Sequence, residues 1–249
     1  MPSPIEITEH EVPLPNLPTA LDGIRLVHLT DFHVGCGDSA AVSSEAIALA
    51  NSLSPDLILL TGDYVNRRVT EIEPAIEILT CLRAGRGIFA SLGNHDYYAD
   101  SHAMAAALRR IGFPVLDNES IEISPGFWLA AIDDLHMGHG DVDEALRNIP
   151  RGAATVLLSH NPNALNLVPQ DWPLIILSGH THGGQIVVPF PSPHLICRLH
   201  LGTDYVGGWY QRGQARMYVS RGIGVTGTPP INRRFRCPPE IALFVLRAG

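Results

Sequence analysis

In five places along the 249-residue chain an apolar run ends and a histidine, aspartate or asparagine follows at once. The runs close on Thr30-Asp31-Phe32-His33, Gly62-Asp63, Gly93-Asn94-His95-Asp96, Ser159-His160 and Ser178-Gly179-His180-Thr181-His182. Asp31 and His33 are two residues apart, as are His180 and His182, so on extended backbone each pair presents both side chains to one side. With Asp63, Asn94 and His160 they supply seven nitrogen and oxygen donors. That is too many for one tetrahedral zinc and suits two octahedral or five-coordinate ions sharing a bridging carboxylate. No donor is sulfur, which argues against a structural zinc and against copper(I). Gly62, Gly93 and Gly179 stand beside the donors, where a missing Cβ lets backbone and ion approach closely.

The elements that must hold these residues alternate. Residues 24–30 (IRLVHLT) read as a buried strand, 40–53 as a helix, 56–61 (DLILLT) as a strand, 71–84 as a helix and 87–92 (GIFASL) as a third strand. An alanine-rich helix follows over 101–111. This succession predicts a mostly parallel sheet with helices on its faces, and ligand sites in such sheets gather at the carboxyl ends of the strands. From Pro114 the texture changes. Residues 121–124, 127–132, 154–159 and 174–178 read as strands with short helices between them, and 184–188, 208–211, 216–220 and 241–246 as further meandering strands. The expectation is one α/β domain over residues 1–249 with more than one sheet. Residues 189–205 (PFPSPHLICRLHLGTDY) read as a long proline-interrupted loop of the kind that covers a site.

Composition narrows the function. A net charge of −8 weighs against diffuse binding to duplex nucleic acid, and so against a nuclease of basic surface. The four cysteines form no CxxC pair, so neither a zinc ribbon nor a redox dithiol is indicated, and reduced thiols are expected. The opening Met1-Pro2-Ser3-Pro4-Ile5-Glu6 lacks a basic region followed by an apolar one, and no apolar run is long enough to span a membrane. A cytoplasmic protein without a transmembrane anchor is expected, with peripheral membrane association left open.

The series Asp31-x-His33, Gly62-Asp63, Gly93-Asn94-His95-Asp96, His160 and Gly179-His180-x-His182 resembles the calcineurin-like metallophosphoesterase superfamily over nearly the whole chain. The wording LTGDYV, LGNHDYY, LLSHNP, LSGHTHGGQ, YVSRGIG and CPPEIALFVL is similar to a bacterial branch. That branch includes generic phosphodiesterases and pyrophosphohydrolases of UDP-diacylglucosamine. Its members often carry an N-terminal anchor or export signal, whereas this sequence starts almost at the first strand of the domain. The resemblance implies a four-layer αββα sandwich of two mixed β-sheets flanked by helices. It further implies that Asp31, His33 and His182 hold one divalent ion, that Asn94, His160 and His180 hold a second, and that Asp63 bridges them. Manganese is the expected metal, with iron, zinc and cobalt compatible. The activity implied is phosphodiester hydrolysis of a small molecule by in-line attack of a hydroxide shared by the two cations.

His95 is spare in this ligand count. Its expected role is to stabilise phosphoryl oxygens or to protonate the leaving group, with Asp96 orienting its imidazole. His28 is expected in the core or behind the ligands. Arg221, Arg233 and His136 are weaker candidates for contact with substrate, the arginines because their forks suit phosphate oxygens. Arg234 and Arg236 extend the same basic turn. Two alternatives stay open: pyrophosphate hydrolysis of UDP-diacylglucosamine-type lipid precursors, and a scaffold of the same fold without catalysis.

Overall fold

The structure, a computed structural model, describes residues 4–249; Met1-Pro2-Ser3, the start of the segment read above for a leader, lie outside the described residues. In chain order the strands and helices are β1 (Glu6–Leu14), β2 (Arg25–Leu29), α1 (Ser39–Ser52), β3 (Leu57–Thr61), α2 (Ile72–Leu79) and β4 (Gly87–Ser91). Then come α3 (Asn94–Ala99), α4 (Ser101–Arg110), β5 (Glu119–Ser124), β6 (Phe127–Ala131), α5 (Val142–Leu146) and β7 (Ala154–Leu158). The chain finishes with β8 (Leu174–Ser178), α6 (Pro193–Leu201), β9 (Gly208–Arg212), β10 (Ala215–Val219) and β11 (Glu240–Ala248).

The strands form two mixed sheets, ordered β1-β11-β2-β3-β4 and β5-β6-β7-β8-β10-β9. Strands β2, β3 and β4 run parallel, and so do β6, β7, β8 and β10. Alternation along each strand decides the layering. In β3, Leu57 and Leu59 enter the layer between the sheets with Phe244, Val156 and Ile175, while Ile58 and Leu60 turn to the helices α1, α2 and α4. In β7, Val156 and Leu158 face the first sheet and Leu157 packs toward α5 and Leu165. Each fully buried leucine stabilises this arrangement by roughly 1.5–3 kcal/mol. The result is the four-layer αββα sandwich that the family resemblance implies, and the more-than-one-sheet α/β domain that the alternating sequence predicts.

Three elements differ from the sequence expectation. β1 was not foreseen: it pairs in parallel with β11 at a sheet edge, and only Val12 and Leu14 of its nine residues are buried, so its sequence lacks an apolar run. Residues 184–188 are no strand, but a short 3₁₀ turn over His182–Gly184 followed by a single bridge from Ile186 to Phe235. Residues 189–205 contain the helix α6. Its Ser192 hydroxyl accepts from the Leu195 amide, Pro193 takes the first turn, and Gly202 ends it at φ 65°. All three are ordinary helix start and stop signals.

Candidate metal centre

The sheets bring their carboxyl ends together, and the five motifs meet there. Asp31, His33, Asp63, His160 and His182 are at most 4% exposed. Asp31, His33, Asp63, His180 and His182 all have positive φ, between 46° and 72°. Non-glycine residues occupy that region rarely and at a cost, and such positions cluster at functional sites. Here the turn after each strand reverses the backbone so that the side chain points across the strand ends.

Asp63 lies at the centre. Its Oδ2 is 3.4 Å from His33 Nε2 and 3.2 Å from His160 Nε2. On one side, His182 Nε2 is 2.9 Å from His33 Nε2 and 3.4 Å from Asp31 Oδ1. On the other, His180 Nδ1 is 3.2 Å from His160 Nε2. The His160 Nδ1 is 2.7 Å from the Thr61 carbonyl, which can only accept, so Nδ1 carries the hydrogen and Nε2 is the free donor atom for a cation. The Asn94 Oδ1 is buried without a hydrogen-bond partner. Lone pairs facing one another at such distances repel unless positive charge sits among them. The donor set therefore fits cations, with Asp63 Oδ2 facing both groups of ligands.

The electrostatics agree. Burial would raise Asp31 and Asp63, yet His182 beside Asp31, and His160 and His33 beside Asp63, hold both carboxyls well below the usual range. Burial and His160 together push His180 down to about 3, and burial pushes His182 far down despite Asp31. These imidazoles are neutral at neutral pH, as metal ligands must be. His160 alone goes up, because Asp63 outweighs its burial; a proton there occupies the place that a cation would take.

Two glycines make the approach possible. A Cβ on Gly93 would stand 2.4 Å from Asp63 Oδ1 and 2.8 Å from His160 Nδ1, and one on Gly179 would stand 2.2 Å from Asp31 Oδ2.

Asp96 does not orient His95 as the sequence reading expected. Its carboxylate accepts from the backbone amides of Gly93, Asp63 and Tyr64, each at 2.9 Å, and thereby ties the start of α3 to the Asp63 turn. Burial and the Asp63 charge push Asp96 up to about 7; the Gly93 and Asp63 amides and His160 pull the other way, and a cation on Asp63 would offset the second cause. Asp96→Ala would leave three buried N–H groups unpaired. It is expected to destabilise the fold by about 3 kcal/mol or more in denaturant unfolding, and to lower metal content through the displaced Asp63.

The group that does orient His95 is the Asn66 carbonyl, which accepts from its Nδ1. His95 packs edge-on to His33 and against Tyr98, with ring centroids at 4.5 and 5.1 Å. The His95 amide donates to Asp63 Oδ1 at 2.8 Å. His28 is fully buried with Nε2 2.7 Å from the Thr61 hydroxyl, behind the ligands.

Above the donors opens a cleft of about 580 Å³, lined by Asn94, His95, His136, Arg67 and Tyr98, and by residues 200–202 at the end of α6. His136, a sequence candidate for substrate contact, is among the residues lining it. The arginines are not. Arg221 forks onto Glu6 at 2.7 Å and Glu240 at 3.2 Å, lining a separate cavity. Arg233 lines another, beside the start of α1, while Arg234 is spent on the carbonyls of Arg221, Gly222 and Gly224. The cation that does line the cleft is Arg67, whose guanidinium lies 4.8 Å from the centroid of the Tyr98 ring. Sequence inspection missed it, because Asn66-Arg67-Arg68 follows no strand end and reads as a solvated turn.

Comparison with known proteins agrees with this geometry. The family model described as calcineurin-like phosphoesterase matches residues 24–184. The chain is 34% identical over 255 residues to an uncharacterized metallophosphoesterase of Bacillus subtilis, YkuE, covering 99% of this chain and 87% of that one. It is 32% identical to a transmembrane protein with metallophosphoesterase domain of Danio rerio, of which it spans only 58%. Among solved structures, a dimetal phosphatase from Danio rerio superposes with a TM-score of 0.55 at 11% identity, over 91% of this chain and 93% of that one. A Thermus thermophilus protein, TT1561, gives 0.53 at 10% identity, over 80% and 90%. At such identities these two speak for the fold alone.

Proposed function

The chain belongs to the calcineurin-like phosphoesterase family, and from that premise we propose that it is a phosphodiesterase working with two divalent ions. One observation carries the reading: a single carboxylate oxygen, Asp63 Oδ2, faces imidazole nitrogens of two separate ligand groups at 3.4 and 3.2 Å. Asp31, His33 and His182 would hold one ion, Asn94, His160 and His180 the other, with Asp63 shared. When bound, such a pair supplies Lewis acidity at phosphorus and lowers the pKa of water toward 7, and manganese, iron, zinc or cobalt all accept these donors.

The chain's own residues do the rest. Asn94 is neutral, so its ion keeps more positive charge than a carboxylate would leave it. His95 reaches into the cleft from the first turn of α3, its Nδ1 hydrogen fixed on the Asn66 carbonyl, which leaves Nε2 toward substrate. Burial pushes its pKa down to about 4, against the pull of Asp63, so the free imidazole is neutral at Nε2. The negative charge of a bound phosphoryl group would have to raise it, so that Nε2 takes up a proton from solvent and passes it on. Its role is proton donation to the leaving oxygen.

Diester preference follows from the charge of the cleft. A monoester dianion asks for more positive charge than a monoanionic diester, and Arg67 is the one arginine lining this cleft among the described residues. Leu201 and Tyr98 add apolar surface suited to a second esterified group. With the same metal near neutral pH, kcat/KM is expected to be higher for bis-p-nitrophenyl phosphate than for p-nitrophenyl phosphate. A clear monoester preference would overturn this reading. One observation favours a second reading, pyrophosphate hydrolysis in a UDP-diacylglucosamine-type lipid precursor: α6 carries exposed Leu195 and Leu199 beside the cleft. That compound belongs in the same substrate panel.

The unpaired Cys36, Cys197 and Cys237 thiols, all buried, support a reducing compartment such as the cytoplasm. No helix among the described residues is long and apolar enough to cross a membrane.

A further inference from the structure

Five of the exposed large apolar side chains, the two most exposed among them, fall on two neighbouring segments. Phe190 is 84% exposed and Leu199 71%, and Leu195, Ile231 and Phe235 are exposed beside them. They lie on two segments, residues 190–199 and 231–235, that hang from one stretch of backbone. Phe235 exchanges backbone hydrogen bonds with Gln185 and Val187, and Gln185 Nε2 donates to the Ile231 carbonyl. On the other side of the same stretch, a Cβ on Gly184 would stand 2.6 Å from Pro193 at the start of α6. The end of α6, residues 200–202, lines the metal cleft, so this face borders its mouth.

Charge is segregated onto the same region. Residues 186–237 hold seven arginines, of which Arg221 is held by Glu6 and Glu240 and Arg234 is spent on backbone carbonyls, and one acid, Asp204, in a chain whose net charge is −8. That acid is taken by Arg198 at 2.6 Å. Arg233 and Arg236 are exposed, and the Arg236 guanidinium lies 5.4 Å from the centroid of the exposed Phe235 ring. Aromatic and leucine side chains interleaved with arginine are what a headgroup-acyl boundary takes up, since the apolar parts enter the acyl layer and the guanidinium groups stay with phosphates.

We propose that this face, centred on Phe190, α6 and residues 231–236, docks on an anionic lipid bilayer and holds the cleft mouth against it. A second copy of the chain would set arginine against arginine across a two-fold contact, which costs free energy, whereas lipid phosphate complements both the cations and the apolar side chains. The strongly acidic remainder of the chain is repelled by the same bilayer, so the molecule is oriented as well as attracted. The inference concerns binding and holds whatever ester the centre hydrolyses.

The test is sedimentation of the full chain with vesicles, scored beside hydrolysis of soluble bis-p-nitrophenyl phosphate. Binding is expected to vesicles of phosphatidylglycerol and phosphatidylethanolamine, much less to pure phosphatidylcholine, and to weaken at high salt. Phe190→Ser with Phe235→Ser should lower vesicle partitioning by about tenfold or more with soluble hydrolysis retained. Arg236→Gln alone should lower it about fivefold. Equal partitioning of variants and wild type, or none of the wild type to phosphatidylglycerol vesicles, would overturn the proposal. So would wild type that self-associates through this face without binding vesicles, shown by a dimer that the double substitution converts to monomer.

Discussion

Asp63→Ala is expected to remove both ions from the chain together and to cut phosphoester hydrolysis by about 10³-fold or more. The reason is its position. Asp63 Oδ2 faces His33 on one side and His160 on the other. Its second oxygen is also engaged, accepting from the His95 amide, so the substitution loosens the start of α3 as well. The fold should survive: the helix-facing and inter-sheet cores lie below the strand ends, and because Asp63 is the charge that raises His160, its removal lets that imidazole lose its proton and strands no buried cation. Elemental analysis beside circular dichroism checks both halves. A folded variant that retains two ions per chain would show that Asp63 is not shared.

His95→Ala should behave differently, keeping the metal while turnover falls by about 10²–10⁴-fold. Its imidazole is held by the Asn66 carbonyl and by Tyr98, and neither partner is a proposed ligand. If His95 delivers a proton, the loss grows as the leaving group becomes more basic. The ratio of wild-type to variant rate should therefore be small for a nitrophenol ester and large for an alkyl ester. A ratio independent of the leaving group would reassign His95 to charge stabilisation alone. A variant that loses its metal would place it among the ligands, an outcome its closeness to His33 makes worth measuring.

The architecture was legible wherever burial dictates the pattern. The runs at IRLVHLT and DLILLT are buried on both faces and could be little else than central strands, and the polar residues that end them had to lie at the sheet's carboxyl edge. The seven donors were legible for the same reason: a side chain that follows a buried strand immediately is carried to that edge. What escaped depends on contacts that no local pattern encodes. β1 is an edge strand with a polar face. α6 was masked by three prolines, although Ser192-Pro193 and Gly202 bracket it. Asp96 was given to the neighbouring His95 because it is near in sequence, whereas its partners include amides some thirty residues earlier. Arg221 was given to phosphate because arginine suits phosphate, but Glu240 and Glu6 reach it first. Arg67 had no signal at all until Tyr98 was seen beneath it.

The proposed function requires two ions serving one reaction. The most direct measurement strips the protein with a chelator and then titrates manganese back while following bis-p-nitrophenyl phosphate hydrolysis and bound metal together. No turnover in the stripped protein, with activity restored as bound metal approaches two ions per chain, is the predicted result. Full turnover in metal-free protein, or saturation with a single ion bound, would contradict it.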